Sequence, residues 1–98
     1  MLVLRVDHLG QIVATPGALA ALAAADTTPT ALLRRHAAGD WGDLDPHDRA
    51  ANDAALRDGS RLLSAYTLAH GVTLWIITEA ADDDGHRPAT TLLLPQEY

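Results

Sequence analysis

Residues 36–48, HAAGDWGDLDPHD, place two histidines, four aspartates and a tryptophan within thirteen positions. A histidine beside carboxylates is the material of a general base or a divalent-metal site. His36, Asp40 and Asp43 can converge at the end of one helix, but the spacing H-x3-D-x2-D matches no defensible metal motif. The competing reading is structural, because a histidine at a helix C-terminus favours the dipole and can donate to the last carbonyls. Trp41, in a Gly-Asp-Trp-Gly turn, reads either as a lid on the core or as an exposed anchor for a partner. Glu79 closes an apolar strand, where it can pair across strands with Arg61 or join His36 as a base or ligand. Asp82-Asp83-Asp84-Gly85 is a fragment of a calcium loop without the alternating ligands or closing Glu, so a solvated hairpin loop is expected. His86 and Arg87 beside it offer a weak anion contact. No nucleophile elbow, P-loop or dinucleotide fingerprint is present, and no cofactor or metal is expected.

Three helices and several strands must position these groups. LGQIVAT, 9–15, reads as a short strand. Thr15-Pro16 is a helix start with Thr15 as N-cap, and Leu19 and Leu22 are the large apolar residues that follow. Thr28-Pro29 repeats the signal before TALLRRHAA, where Leu32, Leu33 and His36 share a face, and Gly39 marks the stop. Asp45-Pro46 opens a third helix, with Asp48 in its first turn and Gly59 at its end. The aspartates of 36–48 thus largely belong to turn and cap chemistry. The period then changes from 3.6 to 2. RLLSAYTLA and VTLWIITEA form a hairpin about His70-Gly71, with VTLWII as a central strand covered on both faces. ATTLLLP is a third antiparallel strand and a potential edge. The expected fold is a single α+β domain over 1–98: an N-terminal strand, three helices on one face of an antiparallel sheet, and a C-terminal three-stranded meander.

Composition narrows the function classes. The chain has 98 residues, a net charge of −6, no cysteine and no phenylalanine. The core therefore rests on Leu, Ile, Val and Ala, with Trp75 and Tyr66 as its large pieces. Without cysteine there is no disulfide framework or thiolate zinc site. The start, MLVLRVDHLGQ, lacks a cleavable apolar region, and no run is long enough to span a membrane, so a cytoplasmic protein is expected. All seven basic residues are arginine, which, with the alanine excess, reads as coding bias. The acidic balance argues against phosphate-backbone binding, which needs clustered cations, and suits a protein partner with a basic surface.

LGQIVATPGALAAL, RRHAAGDWGDLD, GSRLLSAYTLAHGVTLWIITEA and TTLLLPQEY together resemble a family of small bacterial proteins labelled plasmid-related and encoded on plasmids and other mobile elements. The resemblance spans residues 9–98. Family members read W-I-I-T-E-A-D-R-S-x-T; here Asp83, Asp84, Gly85 and His86 stand as an insertion and Pro88 stands where the Ser would be. It implies a mobile-element context and no particular activity. A weaker, topological resemblance is to the RelE/ParE ribonuclease toxins, which present basic residues on the sheet; here that segment carries Arg61 and Arg87 alone.

Two main functional readings follow. The first is a non-enzymatic interaction module that binds a host or element-encoded protein through Asp40, Asp43, Asp45 and Asp48 with Trp41 as anchor, for example an anti-defence inhibitor of a nucleic-acid-binding protein. The alternative is a small nuclease or hydrolase using His36, Asp40 and Glu79. A homodimer that covers its own sheet is a third reading.

Overall fold

The chain is described from a computed structural model, in which residues 8–98 are placed; the expectations for the N-terminal start fall partly on residues 1–7, outside the described residues. The helix starts lie where proline and a capping side chain adjoin. Pro16–Ala24 (α1), Pro29–Ala37 (α2) and Pro46–Asp58 (α3) follow the strand Gln11–Ala14 (β1). Proline suits a first helical position because the amide it lacks would have no intrahelical partner there. Thr15, Thr28 and Asp45 each accept the amide three residues on, from Ala18 at 3.1 Å, Ala31 at 3.2 Å and Asp48 at 2.8 Å. α3 ends at Gly59, in the left-handed conformation with φ 81°, as a C-terminal glycine should. The expected strand 9–15 contracts to Gln11–Ala14, and Leu9, fully buried, joins the core from outside it.

Leu62–Thr67 (β2), Thr73–Thr78 (β3) and Ala89–Leu93 (β4) complete the fold. β2, β3 and β4 form the antiparallel meander, but the sheet is mixed: its order is β1-β4-β3-β2, and β1 runs parallel to β4. This corrects the expectation of an antiparallel sheet. The connections 68–72 and 79–88 are shorter than the crossover a parallel pair needs, so β2, β3 and β4 alternate, whereas β1 is separated from β4 by three helices and a hairpin and is free to run parallel. It also corrects the reading of ATTLLLP as an edge: β4 lies between β3 and β1, and among the described residues the edges are β1 and β2.

The β2 edge is occupied by side chain and loop. The amide side chain of Asn52, on α3, donates to Leu63 O at 2.6 Å and accepts from Leu63 N at 3.1 Å, which completes the ladder as a neighbouring strand would. Next to it, Ala65 N donates to Trp41 O and Asp43 N donates to Ala65 O. This bridge requires glycine at 42: a Cβ there would stand 2.0 Å from Ala65 O, and φ is +75°. Replacing Asn52 with alanine leaves both Leu63 backbone groups without these partners. A loss of about 2 kcal/mol is expected in urea denaturation, since each unmet buried polar group costs about 1–3 kcal/mol. A change under about 0.5 kcal/mol would show that water replaces Asn52 there without penalty.

All three helices lie on one face of the sheet. Ala18, Leu22, Leu32 and Leu33 pack on Tyr66, Leu74, Ile76 and Leu92, while Ala55 packs with Trp41 and Leu62. Two core expectations change. Ala18 and Leu22, four apart, form the buried line of α1, and Leu19 is 50% exposed. Trp41, not Trp75, is the buried indole; Trp75 is half-buried on the other face, edge-on to Tyr98 with ring centroids 5.9 Å apart.

Candidate functional site

His36 sits in the last turn of α2, one helical turn beyond Leu32 and Leu33, and its side chain enters the gap between α2 and the sheet. It is 0% exposed. Its ring nitrogens meet Ser64 Oγ at 2.5 Å through Nδ1 and Thr78 Oγ1 at 2.8 Å through Nε2. Thr78 contacts Thr90 Oγ1 at 2.8 Å, and Thr90 donates to Leu9 O at 2.7 Å. Burial, with a smaller contribution from the Arg87 charge, holds the imidazole down to about 4. The ring is neutral at pH 7, sealed, and bonded at both nitrogens. A general base must reach a substrate proton, and this one reaches only core hydroxyls.

Asp40 and Glu79 do not join it. Asp40 accepts from Arg35 Nε at 2.7 Å, with both side chains about half exposed, and from Gly42 N at 3.2 Å. The Arg35 bond is the largest cause that holds its carboxyl below the usual range. Glu79 is exposed and follows Thr78. Successive strand side chains take opposite faces, so when Thr78 points at His36 and the helices, Glu79 falls on the far face, in a groove with Arg61, Ile77, Thr91, Leu93 and Tyr98. Among the described residues no hydrogen bond joins any two of His36, Asp40 and Glu79. The sheet itself separates the base from the carboxylate, which corrects the grouping of these three as one site. Arg61 donates to Tyr98 Oη at 2.6 Å and lies over its ring rather than forming an ion pair with Glu79.

The aspartates of the 40–48 segment have fold roles and exposed oxygens together. Asp43 accepts from Thr67 Oγ1 at 2.6 Å, Asp45 caps α3, and Asp48 lies exposed in its first turn. Arg49 ties the segment down from α3, donating to Gly42 O and Leu44 O, both at 2.8 Å. Trp41 belongs elsewhere. It is 5% exposed, its Nε1 donates to Asp53 at 3.1 Å, and its ring meets His36 in a T-shaped contact at 5.6 Å. The anchor role assigned to Trp41 is therefore corrected: in a chain with so few aromatics, the indole fills the core between α3 and β2.

Asp82, Asp84 and His86 bring ligand atoms within 4.8 Å of one another, all exposed. Asp82 already accepts the amides of Asp84 and His86, both at 2.9 Å, which accounts for the loop as an aspartate turn. Arg87, beside His86 on the wall of a cavity with Gly10 and Gly85, has a structural role as well. It donates to the carbonyls of Ser60, Glu79 and Ala55, pinning the end of α3 to the sheet.

Sequence reading did not identify Ser64, Thr78, Thr90, Asn52 or Arg87 as structural partners. A signal existed for the first three. They alternate in phase with Tyr66, with Leu74 and Ile76, and with Leu92, so each is a polar residue at an inward position, which demands a buried partner. Asn52 and Arg87 carry no comparable local mark.

Fold and geometry define a small α+β domain, three helices on one face of a four-stranded mixed sheet with a histidine-centred polar core. Among the described residues no helix is long and apolar enough to cross a membrane. Comparison with protein-family models, curated proteins and solved structures finds no match to this chain.

Proposed function

We propose that this protein is a non-enzymatic interaction module that takes a basic protein surface on the acidic ridge Asp40, Asp43, Asp45 and Asp48. The observation that carries the reading is that the ridge is both ordered and exposed. Backbone bonds to Ala65, the Asp45 cap and the Arg49 clamp hold the chain in place, and the four aspartates remain exposed. A pre-ordered charged surface binds without the entropy cost of arranging itself. With Trp41 in the core, recognition is electrostatic, so affinity falls steeply with salt. A nucleic-acid-binding host protein, inhibited through its basic groove by an element-encoded partner, fits that chemistry.

The test is a pull-down with the wild type and an Asp43→Lys/Asp48→Lys chain. Asp40 is spared because it holds Arg35 and Gly42. Thermal melts confirm that both chains fold. A basic protein held by the wild type and bound at least roughly tenfold more weakly by the variant is the expected result, since rim charges act mainly on association. A partner held equally by both chains, or one insensitive to salt, would overturn the reading.

A further inference from the structure

The polar groups sealed between α2 and the sheet form one line of hydrogen bonds, and only one direction of donation satisfies it. Leu9 offers a carbonyl, which accepts and cannot donate, so Thr90 donates to it at 2.7 Å. A hydroxyl has one proton. At the 2.8 Å contact between Thr90 and Thr78 the donor is therefore Thr78. Thr78 in turn accepts from His36 Nε2, 2.8 Å away. Nε2 thus carries a proton, and the neutral ring presents a bare Nδ1 to accept the hydroxyl of Ser64. Among the described residues no buried side-chain polar atom lacks a partner.

We infer that this line is an acid-release latch: it closes only around the neutral Nε2–H imidazole, and protonation of His36 frees α2 and the segment behind it from the sheet. A second ring proton would face the Ser64 hydroxyl, which must then turn its own proton from the ring toward the Tyr66 hydroxyl, itself donating to Asp40 O. Among the described residues the ring nitrogens meet no carboxylate. Ser64 faces the ring from β2, with the Tyr66 phenol bonded behind it, Thr78 from β3, and the Trp41 indole from the loop after α2. The charged group acting on it is Arg87, a cation, from the loop before β4. On α2 itself Arg34 and Arg35 are exposed, and Asp40 beyond the helix is held to Arg35.

In the unfolded chain His36 takes a proton near pH 6.5, and in the folded chain only near pH 4. The unfolded state therefore binds more protons across that window. Stability from the neutral latch is complete above pH 6.5, declines through the window and is lost by pH 4. Within the window the folding constant falls roughly tenfold per pH unit.

Histidine-labelled wild-type chain at pH 7.5 is examined by long-range nitrogen–proton correlation. His36 is expected as the Nε2–H tautomer, and an Nδ1–H tautomer overturns the latch. Urea denaturation of the wild type between pH 7.5 and 5 is then compared with a His36→Met/Ser64→Ala/Thr78→Val chain, which removes the latch without stranding its partners. The wild-type folding constant is expected to fall at least about tenfold more than the variant's; equal falls overturn the proposal. Should that variant not fold, hydrogen exchange on the wild type decides. Amides of residues 36–43, corrected for intrinsic rates, are expected to lose protection relative to β3 at pH 5, and unchanged relative protection overturns release.

Discussion

A His36→Ala chain is expected to be about 3–5 kcal/mol less stable than the wild type. Two costs add. The side chain is fully buried and leaves a cavity, and its removal takes from Ser64 Oγ and Thr78 Oγ1 the ring partner each meets in the closed core, with Thr78 keeping Thr90. A domain of this length has about 5–15 kcal/mol in all, so the loss is a large share of the total. The comparison that isolates the cause is the His36→Met/Ser64→Ala/Thr78→Val chain. Replacing both sides of buried hydrogen bonds with apolar groups of similar shape is nearly neutral, so this triple variant should be more stable than the single one. Urea denaturation at pH 7.5 measures both. If His36→Ala costs less than about 1 kcal/mol, the hydrogen-bonded line contributes little and the histidine is only filling space.

The second large effect is at Trp41. Trp41→Ala is expected to cost about 3–5 kcal/mol, the usual range for deleting a buried indole. It removes the packing of Ala55 and Leu62, the edge contact to His36 and the bond from Nε1 to Asp53. α3 should loosen first, because Trp41, Asn52 and Arg87 are its principal ties to the sheet side. Trp41→Phe keeps most of the packing and loses the Asp53 bond, so about 1 kcal/mol is expected of that loss. Denaturation gives the magnitudes, and hydrogen exchange along residues 46–58 tests which element loosens. A Trp41→Ala chain within about 0.5 kcal/mol of the wild type would return the indole to the surface and restore it as a partner anchor.

These two residues also show how far sequence reading extends. The 36–48 stretch announced a cluster of reactive types, and its turn and cap roles were legible: Asp45 caps α3 and Asp48 lies in its first turn. The same stretch was opaque on depth. His36 lies at helical spacing from Leu32 and Leu33, which places it on the inner side of α2 but does not say whether water reaches it. That depends on Ser64 and Thr78, 28 and 42 residues away.

Helix starts at Thr15-Pro16, Thr28-Pro29 and Asp45-Pro46, the stop at Gly59, the β2–β3 hairpin and the acidic balance were determined by the sequence alone. The charge is a sum over the whole composition; each of the others depends on residues within a few positions of one another, where steric limits and side-chain-to-backbone bonds act regardless of the rest of the chain. The parallel seat of β1 beside β4, the closure of the β2 edge by Asn52, the separation of Glu79 from His36 by the sheet, and the burial of Trp41 were decided only by the tertiary structure. Alternation along a strand gives each side chain a face, but it does not name the neighbouring strand or the helix that covers it. Those choices are made by the whole core at once, through contacts between residues whose separation in sequence leaves no local trace.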